Sequence, residues 1–126
     1  HNFDRLYRAL QCVGDDLVLP EAAPGSNPSW FGFLVTCKEG IDRNRVVRTL
    51  ESKGIQTRML FAGNLIKHPC FDSMRASGEG YRVIGDLANT DRIMNDSFWV
   101  GVYPGMTDKM IDHMAQCIID AVRSRA

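Results

Sequence analysis

The stretch SWFGFLVTCKEGIDRNRVVRTLESKGIQTRMLF, residues Ser29–Phe61, decides the fold. Its first part, Ser29–Cys37, is aromatic and β-branched and apolar on both faces, which predicts a strand buried on both sides. Asp42 suits an N-cap, and a helix over Arg43–Lys53 follows, with Val46, Val47 and Leu50 inward. Gly54 ends it, because glycine enters the left-handed region without a Cβ penalty. Ile55–Phe61 returns to strand. Strand, helix and strand at this spacing predict a β-α-β unit.

Working outward, Phe3, Leu6, Tyr7 and Leu10 mark one face of a helix over Asn2–Cys12. Gly14-Asp15-Asp16 stops it, and Leu17-Val18-Leu19 makes a short strand stopped by Pro20. Pro24, Gly25, Ser26, Asn27 and Pro28 make the next stretch a loop. From Ala62 to Asn89 the periodicity fails, and Gly63, Pro69, Gly78, Gly80 and Gly85 punctuate the chain. A loop of that length in a small domain is usually functional or an interface element. Asn89 or Thr90 caps a short helix through Asn95. Phe98–Tyr103 is a strand closed by Pro104-Gly105. Thr107 caps a last helix with an apolar stripe of Ile111, Met114, Ala115, Ile118 and Val122. The sum is a two-layer α/β domain. Its sheet has three to four strands, mixed but mainly antiparallel, and its helices lie on one face.

The 126 residues carry 15 basic and 15 acidic side chains, with 44% hydrophobic and 24% charged residues. Such a composition fits one soluble globular domain. Zero net charge gives no reason to expect nucleic acid or an anionic membrane as partner. No apolar run is long enough to span a bilayer. Cys12, Cys37, Cys70 and Cys117 are far apart and form no C-x-x-C pair, so no metal site is expected. Cys37 and Cys117 fall in apolar segments and read as small core residues. The methionines read as core fillers.

Several residues suit ligand contact. Arg58 alternates with Thr57 and Met59, two expected core residues, so its guanidinium points to solvent or a cleft. A guanidinium suits a diphosphate; a surface ion pair is the plainer role. Asn64 opens the long loop and could bond sugar hydroxyls or cap the loop itself. Phe61 either stacks on a ring or packs at a domain interface, and Trp30 and Phe31 pose the same choice. Arg92 either binds an anion or pairs with Asp91 or Asp96. His68 is a loop histidine before a proline.

The order of elements, with S-W-F-G-F (29–33), G-I-x-T-R (54–58) and Y-P-G (103–105), resembles one family. It is the C-terminal small domain of the DegT/DnrJ/EryC1/StrS sugar aminotransferases, which have the aspartate-aminotransferase fold and use pyridoxal phosphate. The segments Leu60-Phe61-Ala62-Gly63-Asn64-Leu65 and Tyr81–Gly105 are similar to a single branch. That branch is the CDP-4-keto-6-deoxy-D-glucose 3-dehydratases of lipopolysaccharide sugar biosynthesis. The resemblance covers essentially the whole chain.

The resemblance implies a lyase that removes the C3 hydroxyl of CDP-4-keto-6-deoxyglucose with pyridoxamine phosphate. It further implies a histidine in place of the usual Schiff-base lysine. A 2Fe-2S cluster would receive electrons from a partner iron–sulfur flavin reductase. It also implies a homodimeric, cytoplasmic enzyme whose large domain, bearing the cofactor, lies upstream of His1. The chain begins without methionine, in keeping with a piece of a larger protein that is inactive alone. None of His1, His68 and His113 matches the catalytic histidine, and the four cysteines do not match the cluster ligands. The resemblance makes Arg58 approach the active site and His68 approach the nucleotide sugar. An ordinary aminotransferase and a free-standing α/β binding module are the other readings.

Overall fold

In the computed structural model, residues 1–124 are described. The helices are α1 (Asn2–Leu10), α2 (Arg43–Ser52), α3 (Asp72–Ser77), α4 (Ala88–Asp96) and α5 (Asp108–Arg123). The strands are β1 (Leu17–Val18), β2 (Gly32–Cys37), β3 (Thr57–Arg58) and β4 (Ser97–Gly101). They form one sheet in the order β1-β2-β4-β3, with every neighbouring pair antiparallel. β2 and β3 are therefore parallel, as the strand–helix–strand pattern predicts. They do not touch, because β4 lies between them.

Strand alternation divides the sheet into two faces. Phe33, Val35 and Cys37 of β2 and Phe98 and Val100 of β4 point inward, and all are buried. Leu6 and Leu10 of α1, Val46, Val47 and Leu50 of α2, and Ile111, Met114, Ala115, Ile118 and Val122 of α5 complete the core. Gly32, Leu34 and Thr36 face the other way and are only partly covered. The expectation that β2 is buried on both sides is corrected accordingly. Its second face is half-open within this chain.

Helix ends follow the local chemistry. Asp42 accepts from the amides of Asn44 and Arg45, at 2.8 and 3.2 Å. Asp42→Ala should therefore cost about 0.5–2 kcal/mol, read as a lower urea midpoint at unchanged slope. At the other end Gly54, with φ +79°, donates to Glu51 O while Ile55 donates to Leu50 O, a Schellman closure. Thr107 caps α5 by accepting from the Met110 amide. Helix α4 departs from expectation. It starts at Ala88, after Leu87 at φ 56°, and the Asp86 carboxylate accepts from the Ala88 amide, so neither Asn89 nor Thr90 is the cap.

Two arginines join helices. Arg5 of α1 grips Asp112 and Asp108 of α5. Arg45 of α2 donates to Ala121 O at the end of α5, where carbonyls lack helical partners.

Candidate functional site

The second face of the sheet and the segment leaving β3 make the candidate site. Arg58 lies directly opposite Trp99 in the β3–β4 register. Trp99 lies over Gly32, where an added Cβ would come within 2.7 Å of the indole. Phe31 meets the same indole edge-on, at 5.6 Å and 81°. The Trp99 Nε1 donor is buried and has no partner among the described residues. Beside this pair, β3 diverges from the end of β4 and leaves a groove of about 560 Å³. Arg58, Trp99, Tyr103, Met110 and His113 are among its walls.

Arg58 is exposed, as the alternation predicts, and Thr57 is buried, with its hydroxyl 2.6 Å from Glu51 Oε1. Met59 is not core, contrary to the sequence expectation: it is 40% exposed and accepts from Arg43. The Arg58 guanidinium donates to Thr57 O at 3.0 Å. Gln56 accepts from it in the amide orientation that satisfies both groups. Both acceptors are neutral, and no carboxylate among the described residues pairs with Arg58.

Strand β3 is shorter than the predicted Ile55–Phe61, because the backbone turns away at Phe61. That residue has φ 44° and is 82% exposed. A large side chain in the left-handed region costs free energy and persists only where neighbours hold it. Asn64 is buried instead. Its amide donates to Asp91 Oδ1 at 2.7 Å, and its backbone N–H lies 3.3 Å from Met94 Sδ. His68 Nε2 is hydrogen-bonded to Ala62 O, which closes the turn behind Phe61.

Arg92 is exposed and pairs with neither Asp91 nor Asp96. Asp91 belongs to Lys67, whose ammonium lies 2.8 Å from Oδ2. Lys67 and then Asn64 hold the Asp91 carboxyl below its ordinary range. Trp30 stacks on Phe3 at 4.5 Å, at the core margin, whereas Phe31 stays 70% exposed. Structure thus gathers Arg58, Phe61, Asn64 and His68 on one continuous segment. It adds Trp99, Asp91 and Met94, which the sequence reading did not single out. An aromatic opposite Arg58 in an alternating strand was a usable signal for Trp99. Nothing local marks the partners of Asn64.

The cysteines are all free. Burial raises the Cys37 thiol to about 11, which disfavours the thiolate that a metal or cluster requires. Among the described residues no group of three or more His, Cys, Asp or Glu could hold a metal ion.

The layout, a four-stranded antiparallel sheet with three helices across one face, is that of the C-terminal domain of fold-type I pyridoxal-phosphate enzymes. It superimposes on Escherichia coli GDP-4-keto-6-deoxy-D-mannose-3-dehydratase, solved with bound hydrated PLP, with a TM-score of 0.75. That match has 22% identity and covers 93% of this chain and 29% of that one. The chain belongs to the DegT/DnrJ/EryC1/StrS aminotransferase family, whose profile matches residues 1–119. It is 49% identical to the lipopolysaccharide biosynthesis protein RfbH of Salmonella typhimurium, over 90% of this chain and 25% of that protein. It is 46% identical to dTDP-4-dehydro-2,6-dideoxy-D-glucose 3-dehydratase of Saccharopolyspora spinosa, over 96% of this chain and 25% of that enzyme. The chain thus spans about a quarter of the length of these relatives.

Among the described residues the N-termini of α2, α4 and α5 and the side chains of Lys38 and Lys67 offer no cradle for pyridoxal phosphate, which leaves exposed cations such as Arg58 and Arg92. The cofactor's phosphate needs free backbone amides or cations. The N-terminus of α2 is filled by Asp42, that of α4 by Asp86, and that of α5 by Thr107 beside Asp108. Lys38 is committed to Gly14 O and Lys67 to Asp91.

Proposed function

We propose that this chain is the C-terminal small domain of a nucleotide-sugar 3-dehydratase acting on CDP-4-keto-6-deoxyglucose in 3,6-dideoxyhexose synthesis for lipopolysaccharide. The proposal extends to the whole protein. Pyridoxamine phosphate and a 2Fe-2S cluster sit mainly in a large domain, a flavin reductase supplies electrons, and the enzyme is a cytoplasmic homodimer. The cofactor supplies the electron sink for loss of the C3 hydroxyl. This chain contributes one wall of the substrate cleft.

One observation carries the reading of that wall. Arg58 is a guanidinium without a carboxylate partner among the described residues, on a half-open sheet face, opposite Trp99 and three residues before the exposed Phe61. A permanent charge with parallel donors suits a diphosphate, and the aromatic groups suit a base or sugar ring. His68 and Asn64 stand on the same segment, and Arg92 is a further cation without an ion pair among the described residues. The high identity to RfbH and to a sugar 3-dehydratase supports dehydration over transamination.

In the intact enzyme, Arg58→Ala should raise KM for the CDP-sugar roughly 10- to 150-fold, as expected for losing a charged hydrogen bond. Its kcat should change little, because the diphosphate is remote from the reacting carbon. An unchanged KM would remove Arg58 from the substrate site. The coding sequence upstream of His1 tests the class. Histidine at the Schiff-base position together with cluster cysteines supports the dehydratase. Lysine there makes an aminotransferase, and a start codon immediately upstream makes a small binding module.

A further inference from the structure

We infer that Asp91 is a positioning residue that fastens the segment bearing Phe61 and His68 to helix α4. Its two oxygens take separate partners from that segment: Oδ1 accepts from Asn64 Nδ2 at 2.7 Å and Oδ2 from Lys67 Nζ at 2.8 Å. One turn further along α4, Met94 receives the Asn64 backbone N–H at 3.3 Å. Gly63, at φ +62°, lies so close to Met94 that an added Cβ would come within 2.5 Å of its Cγ. Three points of the segment (63, 64 and 67) therefore rest on one face of α4, since positions 91 and 94 are helical neighbours.

The Asn64–Asp91 bond is the buried one. Asn64 is 2% exposed, and truncating its acceptor leaves a buried amide donor without its protein partner. On the other flank Arg43 donates to Met59 and reaches Met94 O at 3.4 Å, so α4 also anchors the end of β3 through that arginine. Between the two anchors the backbone carries Phe61 in the left-handed region. The anchors supply the surrounding constraint that such a conformation requires.

The structural arm of this inference stands alone. Its functional arm, that the pinned segment presents Phe61 and His68 to substrate, rests on the proposed function. Hydrogen–deuterium exchange and steady-state kinetics of the intact enzyme, carrying Asp91→Ala, Asp91→Asn or Asp91→Leu, separate the two. The amides of Asn64, Lys67 and His68 are bonded locally and report on the segment.

Asp91→Ala should speed their exchange about tenfold or more, with β2 and α5 unchanged, because local opening is decoupled from global unfolding. Asparagine at position 91 keeps an acceptor for Asn64 without the charge and should restore most of the protection, which separates the bond to Asn64 from the ion pair with Lys67. KM for the CDP-sugar should rise several-fold in the alanine variant with kcat little changed. Unchanged exchange in the alanine variant overturns the anchor. Faster exchange with an unmoved KM upholds the anchor and overturns the substrate reading of the segment. Asp91→Leu keeps the bulk without an acceptor, should lose the protection as alanine does, and keeps the test decisive if the alanine variant fails to fold.

Discussion

Phe33→Ala should destabilise the domain by about 3–5 kcal/mol, the range for a buried phenylalanine truncated in a packed core. Phe33 is fully buried on the inner face of β2. It sits 4.9 Å from the Phe3 ring and 6.5 Å from Tyr7, and pairs in register with Val100. Truncation removes the side chain through which β2 meets the Phe3 and Tyr7 rings of α1. Small domains hold only about 5–15 kcal/mol in total, so this loss takes between about a fifth and all of it. Urea unfolding should show a lower midpoint at an unchanged slope. Phe31→Ala is the matched control. It lies in the bend just before β2, with its ring edge-on to Trp99 and 70% exposed, and should stay within about 0.5 kcal/mol of the parent when this chain is unfolded alone. Equal losses from the two variants would contradict the assignment of faces.

Gly63→Ala should cost about 2–5 kcal/mol through two separable effects, left-handed backbone in a residue with a Cβ and overpacking against Met94. The first follows from φ +62° and the second from the 2.5 Å approach to Met94 Cγ. A Met94→Ala background distinguishes them. There the approach to Cγ and Sδ is gone and only the 3.0 Å approach to the Cβ of residue 94 is left, so Gly63→Ala should retain mainly the backbone cost, about 1–2 kcal/mol. Chemical denaturation of the four members of this cycle gives the coupling directly. Additive single effects would show that the glycine is needed for its φ alone.

Much of the architecture was legible because short-range chemistry dictates it. Asp42 and Thr107 cap the helices they should, Gly54 closes α2, and the stripe on α5 is the stripe that is buried. The misplacements have physical causes. Burial of β2 on both sides was read from its apolar character, yet its second face is half-open within these residues. Strand β3 was drawn too long because Met59, Leu60 and Phe61 look like strand residues. The turn at Phe61 depends on contacts with α4, which hydropathy does not encode. The start of α4 was misjudged because Leu87 in a left-handed conformation has no propensity signal.

The candidate site divides in the same way. The exposure of Arg58 follows from period-two alternation. The role of Asn64 could not be read, because its partner lies 27 positions away on another element. Of the two roles expected of Arg92, pairing with Asp91 fails because Asp91 takes Lys67 from across the loop.

The insertion of β4 between β2 and β3 has a consequence for how this domain is made. The strand that all but one sheet pairing depends on is the last to be synthesised. Until residues 97–101 leave the ribosome, β2 has only the two-residue β1 beside it, and β3 has no neighbour. The apolar side of β2, which α1 meets at Phe33, must then wait for α5 through the synthesis of α2 and the whole glycine-broken loop. Pairings so remote in sequence carry a large closure entropy and slow the search. Nascent chains halted before Ser97 should therefore be protease-sensitive and prone to associate, and compaction should come abruptly once α5 has followed β4 out of the exit tunnel.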